Sequence, residues 1–413
     1  MLITRRECLS LTLVPLVRSA HAFGLQSDDR SELRRRIVQI VAEFEQQGDH
    51  RTGTDVDGRS AAWLQAEVAQ AGLTPELEAF SFSRVDLVAA AVVASGRRFE
   101  GLPLFDGSFT DAAGVEGRLG PLGADGAEIG LTSSAPNAGA AGALGEARRA
   151  NRHKAIVSVT DGQRPGLCPS NADLFLNPFG PPVVQVSSAD SGELNALARE
   201  GARVRVIADV KRTEATALNV VATIEGSLRS LPPLVVMTPR SGWYSCASER
   251  GGGLVCWLEL MRALGGTKPA RDVVFVASSG HEVGYLGIRA FVERRPGIVT
   301  SAAAWIHFGA NIGAATPGNT VQASDDDLEA KLTGEMGKVG LSIDRRVPRG
   351  TVPAGEAGVV HRGGGHYVSL LGQNALFHNP DDRGPQAIDP DRIARFVDAV
   401  TALGRQLASA GRE

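Results

Sequence analysis

From residue 217 onward, short valine-rich runs alternate with longer amphipathic stretches, and this alternation constrains the fold more than any other feature. Residues 219–224, 234–237, 273–277 and 303–308 are short apolar runs bounded by polar or glycine residues, which reads as buried strands. Residues 251–264 and 287–294 between them have helical spacing, and 391–407 reads as a terminal helix capped by Asp389. A last strand is expected at 375–377. Strands separated by helices predict an α/β fold: a mixed, largely parallel sheet covered by helices on both faces.

The first half differs. Residues 31–46 have helical periodicity, 51–58 form a polar loop, and Ser60 begins a helix expected to run to Ala71. Residues 86–211 hold short valine and alanine runs among many Gly, Pro and Asn, with strands at 154–160, 182–186 and 202–207 and a helix at 192–200. This predicts a smaller inserted domain at 86–211, between a 23–85 segment and a 212–413 segment that together form the main domain. The N-terminus supplies a twin-arginine pair, Arg5-Arg6, an apolar core at 9–17, and a small-x-small site, Ala20-His21-Ala22. That pattern predicts a 1–22 export signal and a periplasmic or secreted destination. No other run is long and apolar enough to span a membrane. With a net charge of −3, nothing in the composition suggests nucleic-acid binding. Cys8 would leave with the signal, so Cys168, Cys246 and Cys256 remain, with no Cys-x-x-Cys pair for a zinc ribbon. A disulfide between Cys246 and Cys256 is left open.

Chemistry concentrates late in the chain. Gly280-His281-Glu282-Val283-Gly284-Tyr285 follows the 273–277 strand directly, and the C-terminal ends of strands are where open α/β sheets hold their sites. Five of the eight histidines fall between 281 and 378: His281, His307, His361, His366 and His378. Ser245, Ser248, His366, Tyr367 and the Gly251–Gly253 run are expected to face the same cleft, with the backbone N–H groups of that run available to an oxyanion or carboxylate.

Several segments together carry a resemblance. His50-Arg51-Thr52-Gly53-Thr54, Asn219-Val220-Val221-Ala222-Thr223-Ile224-Glu225-Gly226, and Phe377-His378-Asn379-Pro380-Asp381 followed by Ile388-Asp389-Pro390 resemble the co-catalytic zinc aminopeptidase family. That family includes leucyl aminopeptidases, glutamate carboxypeptidases and glutaminyl cyclases. The inserted region, with Pro181-Pro182-Val183-Val184-Gln185-Val186, looks like a protease-associated domain. The resemblance covers nearly all of the mature chain.

The family's metal ligands match only in part. Its His-x-Asp falls on Thr238-Pro239-Arg240, its bridging aspartate on Glu249, its base–ligand glutamate pair on His281-Glu282, and its last histidine on His378. The aspartate expected after 303–308 is absent, where the chain reads His307-Phe308-Gly309-Ala310-Asn311. The resemblance therefore implies at most one zinc ion, held by Glu249, Glu282 and His378, with His281 as base in place of glutamate. A metal-free site is the open alternative, because Arg240 and Arg250 bring fixed positive charge to the same place. Arg240, Ser248, Arg250, His307, His366 and Tyr367 are the expected substrate contacts, and the arginines suit an acidic or carboxylate-bearing ligand. The implied activity is hydrolysis of an amide, peptide or related acyl bond in a small-molecule or peptide substrate. Two alternatives stand beside it. One is a ligand- or peptide-binding protein without catalysis. The other is a metal-independent hydrolase or cyclase-like acyl transferase, with a triad of Ser241 or Ser248 as nucleophile, His281 as base and Glu282 orienting it.

Overall fold

The computed structural model describes residues 20–409; the twin-arginine pair, the 9–17 core and Cys8 lie outside them. Four parallel strands form the centre of the sheet: Leu234–Pro239, Val273–Ser278, Ala304–Phe308 and Tyr367–Gly372. Leu234–Pro239 pairs with Val273–Ser278 on one side and Ala304–Phe308 on the other, and Tyr367–Gly372 lies beyond the latter. The chain thus steps to one side of Leu234–Pro239 and then to the other, a topological switch point with a crevice at the strands' C-terminal ends. The strands are mostly apolar and buried because helices cover both faces, as the alternation predicts.

The helix Ala247–Gly265 is buried along nearly its whole length and packs under the helices Ala20–Glu45 and Pro390–Ser409. It starts before the glycine run, so Gly251–Gly253 lies in its second turn and is packing surface, not an anion cradle. A Cβ on Gly252 would stand 1.7 Å from the Ile312 carbonyl oxygen, and one on Gly253 2.9 Å from Thr238 Oγ1. Glycine is needed there for close approach. The first amides of the helix, those of Ser248 and Glu249, donate instead to the Asp382 carboxylate at 3.0 and 2.9 Å.

The two runs at 202–207 and 219–224 belong to one strand, Arg203–Ile224, which continues through the polar residues between them. It pairs antiparallel with Glu76–Ala94 over most of its length. The intervening strands run back to it in a closed ring, and Glu76–Ala94 and Arg203–Ile224 form a long β-ribbon between that ring and the central strands. Residue 86 lies within Glu76–Ala94, inside this ribbon.

The second helix is Asp55–Gln70, capped by Thr54, whose Oγ1 accepts from Asp57 N at 3.3 Å; Ser60 is buried within it. Thr54→Ala is expected to cost about 1 kcal/mol of stability in a urea titration. The strand expected at 375–377 is a turn, and the last central strand is Tyr367–Gly372. Cys168, Cys246 and Cys256 are free buried thiols. Cys246 and Cys256 lie ten residues apart at the start and middle of one helix, about 15 Å by helical rise, too far for a disulfide. Among the described residues no helix is long and apolar enough to cross a membrane.

Candidate active site

A cleft of about 540 Å³ opens at the C-terminal ends of the central strands. His281, His307, Asn311 and Asn374 line it, together with Asn171 and Asp173 from the loop between the strands Ala155–Thr160 and Val183–Val186. Two of the six non-glycine residues with positive φ among the described residues, Tyr285 and Asn311, line this cleft. Such backbone conformations are costly and cluster where geometry serves function.

His281 follows its strand through Gly280, whose φ of +84° turns the chain sharply. Its backbone N–H donates to Ser241 Oγ at 3.0 Å. Its ring Nδ1 lies 2.9 Å from Glu356 Oε1, and the fully buried Glu356 reaches His307 Nε2 with its other oxygen at 3.3 Å. His307 Nδ1 meets Ser369 Oγ at 2.8 Å. Ser369, His307, Glu356 and His281 therefore form one chain of contacts. A carboxylate accepts only, so His281 carries its proton on Nδ1 when neutral, leaving a lone pair on Nε2. Nε2 has no protein partner among the described residues, and the ring lines the cleft. The Tyr285 ring packs edge-on to it at 5.4 Å, and the Tyr285 hydroxyl donates to Asp173 at 3.1 Å.

Burial alone would raise the Glu356 pKa, but the two imidazoles outweigh it and hold the carboxyl well below its usual range. A depressed carboxylate stabilises the fold above its unfolded pKa of about 4.3 and loses that contribution as pH falls toward its folded value. Glu356→Gln is therefore expected to flatten the acid side of the wild-type stability profile below about pH 4.3, measured by urea midpoints.

Glu356 is absent from the sequence-based set. One signal was present: it is a lone charge in the glycine- and alanine-rich stretch 353–360, and an acid in such a context needs a partner.

The remaining expected residues fall in different places. Glu282 turns away from the cleft: Thr52 N–H donates to one oxygen at 2.6 Å and Ser241 Oγ to the other at 2.8 Å. Glu249 and His378 do meet, at 3.4 Å between Oε1 and Nε2, and Arg250 Nη2 stands 2.7 Å from the same Glu249 oxygen. Burial would raise the Glu249 pKa, and Arg250 and His378 reverse this to well below the usual range. Arg240 is buried and pairs with Asp57 at 2.7 Å. Ser248 donates to Asp382 at 2.6 Å and accepts from Asn374 at 2.8 Å. His366 is exposed and faces Asp325 at 3.3 Å, and Tyr367 is buried against His361. Of the expected substrate contacts, His307 alone lines the cleft; Arg240, Ser248, Arg250, His366 and Tyr367 do not.

These positions do not fit a zinc site. Both oxygens of Glu282 are occupied by hydrogen bonds, and a guanidinium holds the Glu249 oxygen that faces His378. Among the described residues, no group of three or more His, Cys, Asp or Glu side chains is arranged to hold a metal ion. The expected triad also changes: Glu356, not Glu282, orients His281, and the Ser241 and Ser248 hydroxyls already donate to carboxylates.

No protein-family model and no curated protein matches the chain. Solved structures do. A zinc aminopeptidase from Bacillus subtilis superimposes with a TM-score of 0.74 over 93% of this chain and 96% of its own, at 16% identity. An aminopeptidase from Aneurinibacillus sp. strain AM-1 gives 0.69 over 92% and 94%, at 14% identity. A peptidase M28 precursor from Shewanella amazonensis gives 0.69 over 94% and 98%, at 15% identity. The chain has the α/β fold of these structures: a large mixed, mostly parallel sheet flanked by helices.

Proposed function

We propose that this chain is an exported hydrolase that cleaves an amide, peptide or related acyl bond in the cleft, with His281 as general base. The observation that carries this is the 2.9 Å contact between His281 Nδ1 and buried Glu356, which leaves Nε2 directed to the cleft. A positioned imidazole–carboxylate pair is a recurring general-base unit. Nε2 takes a proton from water as the water oxygen bonds to the acyl carbon. When the bond to the leaving group breaks, the imidazolium returns that proton to the departing atom. Glu356 stabilises the imidazolium without taking up the proton itself. The fold shared with peptidases supports the reaction class, and the amide-bearing side chains of Asn171, Asn311 and Asn374 around the cleft suit a polar acyl substrate.

The test is turnover of a panel of peptide, amide and ester substrates by wild type and by His281→Ala. Product from wild type and its loss in the variant support the reading. A second reading, a ligand-binding protein, draws on the occupied hydroxyls of Ser241 and Ser248 and the inward turn of Glu282. It expects a ligand from the same panel to raise the melting temperature with no product formed. Export is tested separately by fractionating cells that express wild type or an Arg5→Lys, Arg6→Lys double variant; cytoplasmic retention of wild type would overturn it.

A further inference from the structure

Glu249, Arg250 and His378 form a buried cluster beneath the cleft, with all three side chains at most 1% exposed. Glu249 Oε1 lies between Arg250 Nη2 at 2.7 Å and His378 Nε2 at 3.4 Å. Arg250 Nε donates to the Ser241 carbonyl oxygen at 2.7 Å, which fixes the guanidinium plane. His378 Nδ1 lies 2.6 Å from the Pro169 carbonyl oxygen. A carbonyl only accepts, so Nδ1 carries a proton and Nε2 is directed at the Glu249–Arg250 pair. An imidazole held by a carbonyl at one nitrogen and directed at a cation place with the other is the wiring of a metal ligand. Here the cation is a side chain.

We infer that Arg250 is this chain's built-in replacement for a metal ion: its guanidinium supplies the positive charge that buried Glu249 requires and closes the place to zinc. The charge balance supports this. A buried carboxylate without a cation is strongly unfavourable, and a guanidinium supplies a charge that can neither dissociate nor deprotonate near neutral pH. A zinc ion bound to Glu249 Oε1 would stand against a second, immobile cation. Both oxygens of the neighbouring Glu282 are occupied by hydrogen bonds from Thr52 N–H and Ser241 Oγ, so neither is free to complete a ligand set with Glu249.

The experiment is metal analysis and thermal melting of the purified chain, with zinc added and with a chelator. Wild type should carry well under one zinc per chain, and neither addition should move its melting temperature by more than about 1 °C. Arg250→Ala frees Glu249 and His378, and zinc should raise the melting temperature of that variant by about 2–3 °C or more. Arg250→Lys keeps the charge and should remain indifferent to zinc. If Arg250→Ala does not fold, wild type and Arg250→Lys carry the test by their shared indifference. About one zinc per chain in wild type, with a fall in melting temperature on chelation, overturns the inference. So does an Arg250→Ala that folds and ignores zinc. These readouts do not involve turnover, so they stand whether or not the cleft proves catalytic.

Discussion

Replacing His281 with alanine is expected to lower kcat/KM by about 10²–10⁴-fold, the range that a positioned general base contributes. The loss should fall mainly on kcat, because the imidazole acts on a proton that moves only as the reaction proceeds. Glu356→Gln separates position from charge. A glutamine of the same shape still reaches His281 Nδ1, but it can present its amide nitrogen and favour the opposite tautomer, with Nε2 protonated and unable to accept. Its turnover should drop by about tenfold or more while substrate affinity holds. The split between kcat and KM distinguishes this from a structural defect, which would change both. A His281→Ala enzyme with unchanged kcat would remove His281 from the mechanism.

The fold was legible in the sequence because its determinants are local. The run at 273–277 is apolar and short, and it forms a buried strand pairing with two equally apolar neighbours. The site was legible only where one residue's position follows from its own strand. His281 and His307 sit at the C-terminal ends of strands, and the sheet's polarity brings both to the cleft. His366 and Tyr367 lie away from the cleft, because their strand begins at Tyr367 and the cleft is at its other end. The cleft takes Leu371, Gly372 and Asn374 from the far side of that strand. Glu356 could not be found by spacing. It is 75 residues from His281, and its role arises from the convergence of two histidines that only the folded sheet brings together. The resemblance sets both arginines near the expected metal ligands, but charge alone does not say which acid each meets. Arg250 meets its neighbour Glu249, whereas Arg240 reaches across the fold to Asp57.

Arg240→Met is expected to cost about 3–5 kcal/mol of unfolding free energy, the cost of breaking a buried ion pair on one side. Arg240 is 1% exposed and makes three contacts: the Asp57 carboxylate, the Asp57 carbonyl at 2.8 Å and the Leu218 carbonyl. Methionine fills much of the volume but leaves Asp57 charged and buried, with Gly53 N–H at 2.8 Å and Ser279 Oγ at 2.9 Å as its remaining donors. The same loop presents Thr52, whose backbone N–H holds Glu282 and whose hydroxyl accepts from Gly280 N at 3.0 Å. Arg240 thus braces the segment that positions the turn before His281. An exposed pair gives the contrast: Lys154→Met, opposite Glu128 on the ring of strands, should cost no more than about 1 kcal/mol. Urea titrations at neutral pH measure both. The double variant Arg240→Met, Asp57→Asn removes the orphaned charge and should recover part of the loss. A substrate-binding Arg240 would behave oppositely, raising KM with little change in the urea midpoint, and that outcome would move it from the frame of the site into the cleft.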